Sequence, residues 1–328
     1  MLEATSVALD AVRDPIRDRL RLVEDELQAM VPADFEAVDE VGAYLLSARG
    51  KLFRPTILLL SNEIDGTPSS AAVKLGAIVE LMHVATLVHD DAVDHSVRRR
   101  GMPTVNARWT HQVAIIMGDY LYSRALVEIS SLAEVEMIQI LARTSNRMTI
   151  GEMRQLISYD ALGYSRRDYY LLCEYKTASL MAAASELGAL AGAPAYRRTL
   201  RSFGFHLGMA FQVTDDLLDY TSPASITGKP GGQDLREHKV TLPLISALPE
   251  MTAGERNLVE RLFADPLPSE AMVSEVIEAV QRGGGLAAAR SEAAVFAERA
   301  RQSLEALPSG PALDALRIAV DYVVERER

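Results

Sequence analysis

Two acidic motifs carry the side chains whose type and spacing best suit chemistry. Each follows an apolar run and has the form Asp-Asp-x-x-Asp. On an α-helix the first and last carboxylates of such a motif lie one above the other, and the middle one lies beside them. Like charges placed so closely repel unless a cation neutralises them, and Mg²⁺ suits oxygen ligands while keeping positions for substrate phosphates. The candidate metal ligands are Asp90, Asp91, Asp94, Asp215, Asp216 and Asp219.

The repetition of the motif is more informative than either copy. A single acidic triplet is common on solvated helix faces and would carry little weight. Two copies far apart in the chain are less typical of solvated surface. If their helices face each other across a cavity, the carboxylates could hold several cations around one diphosphate.

Basic side chains surround these motifs in the sequence. The segment 98–101, Arg-Arg-Arg-Gly, follows the first motif and is either charge compensation or a clamp for a second phosphate. Lys51 and Arg54 flank the start of a predicted helix, where an anion is favoured, although two solvated cations remain the alternative. The loop 228–232, Gly-Lys-Pro-Gly-Gly, is either a mobile lid that brings Lys229 to a phosphate or an inert connection.

The composition limits the class of protein. With 328 residues, 48% of them hydrophobic, the chain can bury a large core, and a net charge of −11 argues against nucleic acid as a partner. The single cysteine allows no intrachain disulfide, which suits a reducing compartment, and we expect a cytoplasmic location. We find no signal peptide and no run of eighteen apolar residues, so we expect no membrane span.

Apolar residues recur at helical spacing along most of the chain. Long helices are predicted at roughly 71–94, 104–132, 134–160, 165–192 and 197–220, and four more between about 252 and 327. No segment shows the sustained alternation of a half-buried strand. The sequence therefore predicts an all-α fold in a single domain over residues 1–328.

Taken in order, these motifs resemble the trans-isoprenyl diphosphate synthases, or polyprenyl synthetases. The resemblance covers the chain from Gly50 to the C-terminal helix. It rests on both acidic motifs, Gly-Lys-x-x-Arg-Pro from position 50, Arg99-Arg100-Gly101, Gly-Glu-x-x-Gln at 151–155, Lys176-Thr177, Phe211-Gln212 and Gly228-Lys229-Pro230. It implies an isoprenoid synthase-like bundle of long antiparallel helices around a deep central cavity, and a homodimer.

The resemblance also implies a role for each matching residue. The six aspartates would hold Mg²⁺ ions, three per active site, on the allylic diphosphate. That diphosphate would also contact Arg99, Lys176 and Lys229. Isopentenyl diphosphate would contact Lys51, Arg54, His83 and Arg100. The side chains flanking the reacting carbon would be Lys176, Thr177 and Gln212.

The residue types fit this chemistry without a nucleophilic side chain. When the allylic carbon–oxygen bond breaks, metal ions and arginines stabilise the departing diphosphate. A hydroxyl and an amide could stabilise the allylic cation, and apolar walls keep water away from it. The alkene of isopentenyl diphosphate then attacks, and a proton is lost to the departing diphosphate.

The resemblance places the growing product beneath the first motif. The residues eight, five and four positions before Asp90 would form the wall: Met82, Ala85 and Thr86. Met82 would lie roughly 12 Å below Asp90. None of the three is aromatic, so we predict a medium- or long-chain product, hexaprenyl to nonaprenyl, with a floor from another helix within 113–147. A peripheral membrane contact for product release is left open.

Several alternatives share parts of this pattern. A geranylgeranyl or farnesyl diphosphate synthase differs only in product length. A class I terpene cyclase normally has a mixed second metal motif and no use for an isopentenyl-binding set. A non-catalytic subunit of a heteromeric synthase tends to lack the second motif. Two departures from the family pattern are His238, where relatives usually have glycine, and a C-terminus without a run of basic residues.

Overall fold

Long α-helices form most of the computed structural model, which describes residues 9–47, 50–157, 162–221 and 231–326. The helices of the first half are α1 Arg17–Met30, α2 Glu36–Ser47, α3 Phe53–Asn62, α4 Ala71–Val93, α5 Val105–Arg108, α6 His111–Ser130 and α7 Val135–Ile157. Those of the second half are α8 Arg166–Cys173, α9 Ser179–Gly192, α10 Arg197–Thr221, α11 Gln233–Arg236, α12 Leu242–Ala247, α13 Ala253–Ala264, α14 Glu270–Arg282, α15 Gly285–Leu304 and α16 Pro311–Glu325. Short 3₁₀ turns cover Asp14–Ile16, Pro194–Tyr196 and Leu248–Glu250. The prediction of an all-α fold is confirmed.

The core lies between helices that run antiparallel or cross one another. Helix α4 packs against α6, α3 and α1, while α10 packs against α9 and α15. The largest fully buried side chains include Leu59, Leu75, Ile78, Leu121 and Phe203. A smaller hydrophobic cluster joins the end of α10 to α12, α13 and α14. Assignment of the whole chain to one domain stays a prediction.

The local sequence accounts for where several helices begin. The side chains of Ser165 and Thr252 each accept a hydrogen bond from a backbone N–H of the first turn. An acidic side chain in that turn accepts a hydrogen bond from the backbone N–H of the same serine or threonine, which completes a capping box. The predicted helix at 104–132 is in fact divided. Thr110 is extended and its hydroxyl accepts from Val113 N, so α6 starts anew after the short helix α5.

Two irregular segments were not predicted. Residues Arg98–Arg99 and Met102–Pro103 pair as antiparallel strands β1 and β2. The turn between them has Arg100 at φ 50° and Gly101 at φ 80°, the left-handed pair that two-residue hairpins require. Between α8 and α9 the chain forms a π-helical turn, Glu174–Ala178, a geometry that is often found at functional sites.

Helix α4 is long and apolar enough to cross a membrane by composition alone. Its most apolar window has a mean hydropathy of 1.7, and 61% of that window is buried in the structure. The sequence still has no uninterrupted run of eighteen apolar residues, and the expectation that no segment spans a membrane stays a prediction. Burial among neighbouring helices favours the interpretation of α4 as a core helix.

Close packing of α9 against α3 generates a stability prediction. A Cβ added at Gly188 would lie 2.1 Å from the carbonyl oxygen of Leu58, which is backbone and cannot rotate away. We expect Gly188→Ala to lower the free energy of unfolding by at least about 1–3 kcal/mol, measured by urea denaturation. Gly254→Ala on α13, where the nearest atom is 4.0 Å away, is the control and should be neutral or stabilising. Equal stability of the two variants would contradict this packing.

Candidate active site

The first acidic motif ends helix α4, and each of its carboxylates faces a cation. Asp91 is buried and accepts a hydrogen bond from Arg99 Nε at 2.8 Å. Asp94 Oδ2 lies 2.9 Å from Lys239 Nζ. Asp90 Oδ2 lies 3.4 Å from Lys176 Nζ.

The second motif lies near the end of α10 and is held differently. Asp216 is buried, and Asp215 is more than half exposed, with Arg326 Nη2 at 3.4 Å from its Oδ1. Asp219 accepts hydrogen bonds from the backbone N–H groups of Gln233 and Asp234 at 3.1 and 3.0 Å. It therefore caps the short helix α11 in this structure.

The structure brings the two motifs to one hollow. Asp90 and Asp215 both line a cavity of about 830 Å³, and both also line an adjoining cavity of about 630 Å³ together with Asp94 and Asp216. Asp91 and Asp219 line neither cavity. The metal-binding role predicted for all six aspartates stays a prediction.

A chain of hydrogen bonds fixes the polar residues beside the second motif. Thr177 donates to Gln212 Oε1 at 2.6 Å, and Gln212 Nε2 donates to Asp216 Oδ1 at 2.7 Å. Tyr169, which is almost completely buried, donates to Asp216 Oδ2 at 2.5 Å. The pKa of Asp216 is raised to about 7, mainly by burial and also by the charges of Asp215 and Asp219, while the hydrogen bonds from Tyr169 and Gln212 oppose this rise.

Lys176 projects from the π-helical turn into an acidic cluster. Its ammonium lies 2.6 Å from Glu152 Oε2 and donates to Gln155 Oε1 at 3.0 Å, in addition to its contact with Asp90. Burial raises the pKa of Glu152, and the neighbouring Lys176 opposes this change. Lys176 therefore links the first motif to helix α7.

A group of cations also lines the larger cavity. All four predicted ligands of isopentenyl diphosphate line it: Lys51, Arg54, His83 and Arg100. The Nε atom of Arg54 is buried and has no hydrogen-bond partner among the described residues. Burial lowers the pKa of Arg54, and burial together with Arg54, Arg100 and Arg99 keeps the pKa of His83 well below its usual value. An anion bound here would relieve this excess positive charge.

Only some of the remaining predicted residues line the two cavities. Arg99 lines both cavities, and Ala85 and Thr86 line the larger one. Met82 is fully buried and does not line it, because its side chain packs in the core. Lys229 lies outside the described residues.

His238 supplies a positive φ that glycine would adopt more easily. Its φ is 55°, and its ring is held by Asp265 O at 2.9 Å and by an edge-on contact with Phe263. The next residue is Lys239, which reaches Asp94 and also Glu237 at 2.7 Å. The strained residue thus directly precedes the cation that connects this segment to the first motif.

Sequence reasoning missed several residues of the site. Glu80 lines the larger cavity together with the group of cations. Burial raises the pKa of its carboxyl group, and Arg54 and Arg100 oppose that effect. Tyr169 holds Asp216, and Arg326 stacks on the Phe211 ring at 3.7 Å. A glutamate within the apolar helix α4 was the one available signal, since such a residue is rarely buried without a partner.

The carboxylates present fit a divalent cation. Asp215 and Asp219 are close enough to raise the pKa of Asp216, and a metal ion would offset that repulsion. Within the described ranges no three His, Cys, Asp or Glu side chains already enclose an ion position. A cation here would need ligands from elsewhere, and substrate phosphates are suitable.

The chain is similar to known proteins along most of its length. The polyprenyl synthetase family model matches residues 35–280. The all-trans-nonaprenyl-diphosphate synthase (geranyl-diphosphate specific) of Rhodobacter capsulatus is 37% identical over 321 residues, 92% of this chain and 98% of that protein. The octaprenyl diphosphate synthase of Escherichia coli (strain K12) is 34% identical over 298 residues, 90% of this chain and 92% of that protein. The polyprenyl synthase of Caulobacter crescentus CB15, solved with calcium and isoprenyl diphosphate, superposes with a TM-score of 0.92 at 33% identity and covers 98% of each chain.

Two acidic motifs and a group of cations around one hollow in a helical bundle define a prenyltransferase of the isoprenoid synthase type. The chain belongs to the polyprenyl synthetase family and is a transferase, a trans-polyprenyl diphosphate synthase. The predicted family, fold class and reaction class are confirmed.

The raised pKa of Asp216, together with its predicted role as a metal ligand, predicts how cation binding depends on pH. Below about 7, a proton must leave this carboxyl before it can hold a metal ion. We expect Mg²⁺ binding with inorganic diphosphate, measured by titration calorimetry, to weaken by up to about tenfold per pH unit as the pH falls below that value. Binding should release protons, seen as a dependence of the measured heat on the buffer. Asp216→Asn should bind weakly with a flatter pH profile, whereas the exposed Asp314→Asn should match the wild type. An unchanged slope in Asp216→Asn would contradict this assignment.

Proposed function

We propose that this chain elongates an allylic diphosphate with isopentenyl diphosphate and releases a medium- or long-chain polyprenyl diphosphate. The observation that carries the proposal is the shared cavity, which joins two acidic motifs to a separate group of cations. Two diphosphates can thus be held side by side, one through metal ions and one directly by cationic side chains.

The allylic diphosphate would occupy the acidic side of the cavity. Asp90 and Asp215 would hold Mg²⁺ on its oxygens, as the sequence predicts, and calcium accompanies isoprenyl diphosphate in the Caulobacter crescentus relative. When bound, Mg²⁺ supplies the positive charge that stabilises a departing diphosphate. Arg99 and Lys176 line the same space and would bind the oxygens that the metal leaves free.

Isopentenyl diphosphate would occupy the cationic side. Lys51, Arg54 and Arg100 supply three positive charges there, and Glu80 supplies one negative charge. The buried Nε of Arg54 would gain a phosphate oxygen as its acceptor. His83 stays neutral at ordinary pH because its pKa is lowered, so it would act as a hydrogen-bonding group.

Thr177 and Gln212 are arranged to face a developing carbocation. Because the Thr177 hydroxyl donates its proton to Gln212 Oε1, its oxygen lone pairs remain available towards the cavity that both residues line. An oxygen dipole fixed in this way stabilises positive charge without reorganising during the reaction. The apolar lining, including Phe53, Leu87 and Phe211, limits access of water to the cation.

The small side chains below the first motif and the names of the relatives both indicate the length of the product. Ala85 and Thr86 are small, so they leave room below the first motif. The relatives from Rhodobacter capsulatus and Escherichia coli are named nonaprenyl and octaprenyl synthases. Both observations support a product longer than geranylgeranyl diphosphate.

A direct assay tests the reaction. The purified chain, Mg²⁺, labelled isopentenyl diphosphate and allylic primers of increasing length should give hexaprenyl to nonaprenyl products by chromatography after dephosphorylation. Asp90→Asn and Asp215→Asn should each lower kcat by about 100-fold or more. Ala85→Phe should shorten the product by filling the wall. Incorporation that requires a second protein would indicate a subunit of a heteromeric synthase, and cyclic products would indicate a terpene cyclase.

We also propose a homodimer formed through helices α6 and α7. Eight large apolar side chains are exposed on these helices, and we single out five of them: Ile116, Val127, Ile150, Met153 and Ile157. Their spacing places Ile116 and Val127 on one face of α6, and the other three on one face of α7. Exposed apolar surface of this kind marks an interaction site, and the resemblance implies a second copy of the chain as its partner.

The dimer has its own test. Light scattering after size-exclusion chromatography should give about twice the 35.8 kDa chain mass. Met153→Arg should shift the protein towards the monomer by burying an unpaired charge in the interface. Leu267→Arg, at an apolar residue that is 87% exposed but lies outside these helices, should leave the dimer intact. A monomeric wild type would refute the proposal.

A further inference from the structure

Residues 231–241 form a strap that joins the second acidic motif to the first. At the start of the strap, the side chain of Asp219 accepts hydrogen bonds from two consecutive backbone N–H groups, at 3.1 and 3.0 Å. Towards its end, Lys239 Nζ lies 2.9 Å from Asp94 Oδ2. The strap therefore contacts one aspartate of each motif, and its position affects both.

Two side chains attach the strap to the segment around the start of α14. Arg236 donates to both carboxylate oxygens of Glu270, at 2.9 and 2.6 Å. His238 Nε2 donates to Asp265 O at 2.9 Å, and its ring makes an edge-on contact with Phe263, with the ring centroids 5.8 Å apart. Only the second of these attachments is made by the residue next to Lys239.

His238 occupies a backbone position that usually requires glycine. Lys239 N donates to Asp234 O at 2.7 Å. His238 N donates to Leu235 O at 3.1 Å, and the two bonds together form a Schellman motif at the end of α11. The φ of His238 is 55°, the left-handed conformation that this motif needs and that glycine adopts without steric cost.

The histidine therefore needs an explanation that glycine would not need. A glycine would satisfy the turn but would leave the strap free to adopt other conformations. The histidine narrows the backbone choice and adds a ring that contacts Asp265 and Phe263. What the ring adds to the turn is thus an attachment to another part of the fold, one residue before Lys239.

We propose that His238 is a positioning residue, whose attachment to Asp265 and Phe263 holds the Lys239 ammonium at the acidic motifs. The inference rests on the proposed condensation reaction and deepens it. Lys239 lines the adjoining cavity together with Asp90 and Asp94, so its charge is available to a diphosphate bound there. Because the cation is ordered before the substrate arrives, less conformational entropy is lost when the allylic diphosphate binds.

Three substitutions separate the ring from the backbone conformation. His238→Gly and His238→Asn both tolerate the left-handed conformation, but neither carries a donor that reaches as far as Nε2. His238→Gln places an amide donor at a reach similar to that of Nε2. The control is Leu267→Ala, which lies in the same loop as Asp265 and is 87% exposed.

Binding and kinetics measure the effect on the site. His238→Gly and His238→Asn should each raise KM for the allylic diphosphate by about two- to tenfold, the worth of one net hydrogen bond. The Kd for inorganic diphosphate with Mg²⁺, measured by titration calorimetry, should rise by the same factor. We expect kcat to change by less than about twofold, because the lost interaction serves ground state and transition state alike. His238→Gln and Leu267→Ala should match the wild type.

Trypsin gives a readout that needs no catalysis. Arg236 and Lys239 are cleavage points within the strap, and cleavage of the native protein reports local opening. In His238→Gly and His238→Asn, cleavage after these residues, identified by mass spectrometry, should be about two- to tenfold faster. The rate in His238→Gln should stay close to that of the wild type.

The combined results decide between the possible roles of the ring. Wild-type cleavage and KM in His238→Asn would overturn the proposal, and an effect in His238→Gly alone would then belong to backbone freedom. Faster cleavage with unchanged KM and diphosphate affinity would reduce the ring to a structural contact and would also overturn it. If His238→Gln behaves like His238→Asn, the hydrogen bond has no role. A wild-type chain that binds diphosphate but performs no condensation would instead refute the proposed function.

Discussion

Repulsion between carboxylates that two helices bring to one hollow is the constraint on which the active site depends. The first motif is neutralised within the protein, since Asp90, Asp91 and Asp94 each face a lysine or arginine. In the second motif Asp216 is held by neutral donors, and its carboxyl pKa is raised. The side of the cavity formed by α10 therefore has the greater need for an added cation.

Charge also distinguishes the two substrate positions that we propose. Arg54, Arg100 and Lys51 supply positive charge to the cavity wall, whereas Asp90 and Asp215 belong to the acidic motifs. In that proposal a diphosphate binds the first group directly and the second group through metal ions. Lys176 and Thr177 lie beside the acidic motifs, on a π-helical turn, and both of these adjacent residues line the cavity.

Strained backbone positions serve the same site. Leu52 and Arg100 both have positive φ, and each lies within or beside the cation group. A non-glycine residue in this conformation costs about 1–2 kcal/mol, which the surrounding structure must offset. The hairpin turn at Arg100 orients two adjacent arginines differently: Arg99 pairs with Asp91, and Arg100 lies beside Glu80.

The sequence by itself determined the periodic and the motif-based features. Apolar spacing predicted the long helices because burial of one helix face is a local pattern, and the acidic motifs predicted the site because closely spaced carboxylates repel unless a cation lies between them. The sequence could not predict features that depend on contacts between distant segments. Tyr169 reaches Asp216, Arg326 reaches Phe211, and Met82 turns into the core, and none of these follows from sequence spacing. The hydrogen bond from Ser145 to the Tyr122 hydroxyl in the cavity wall likewise exists only once α6 and α7 have packed side by side.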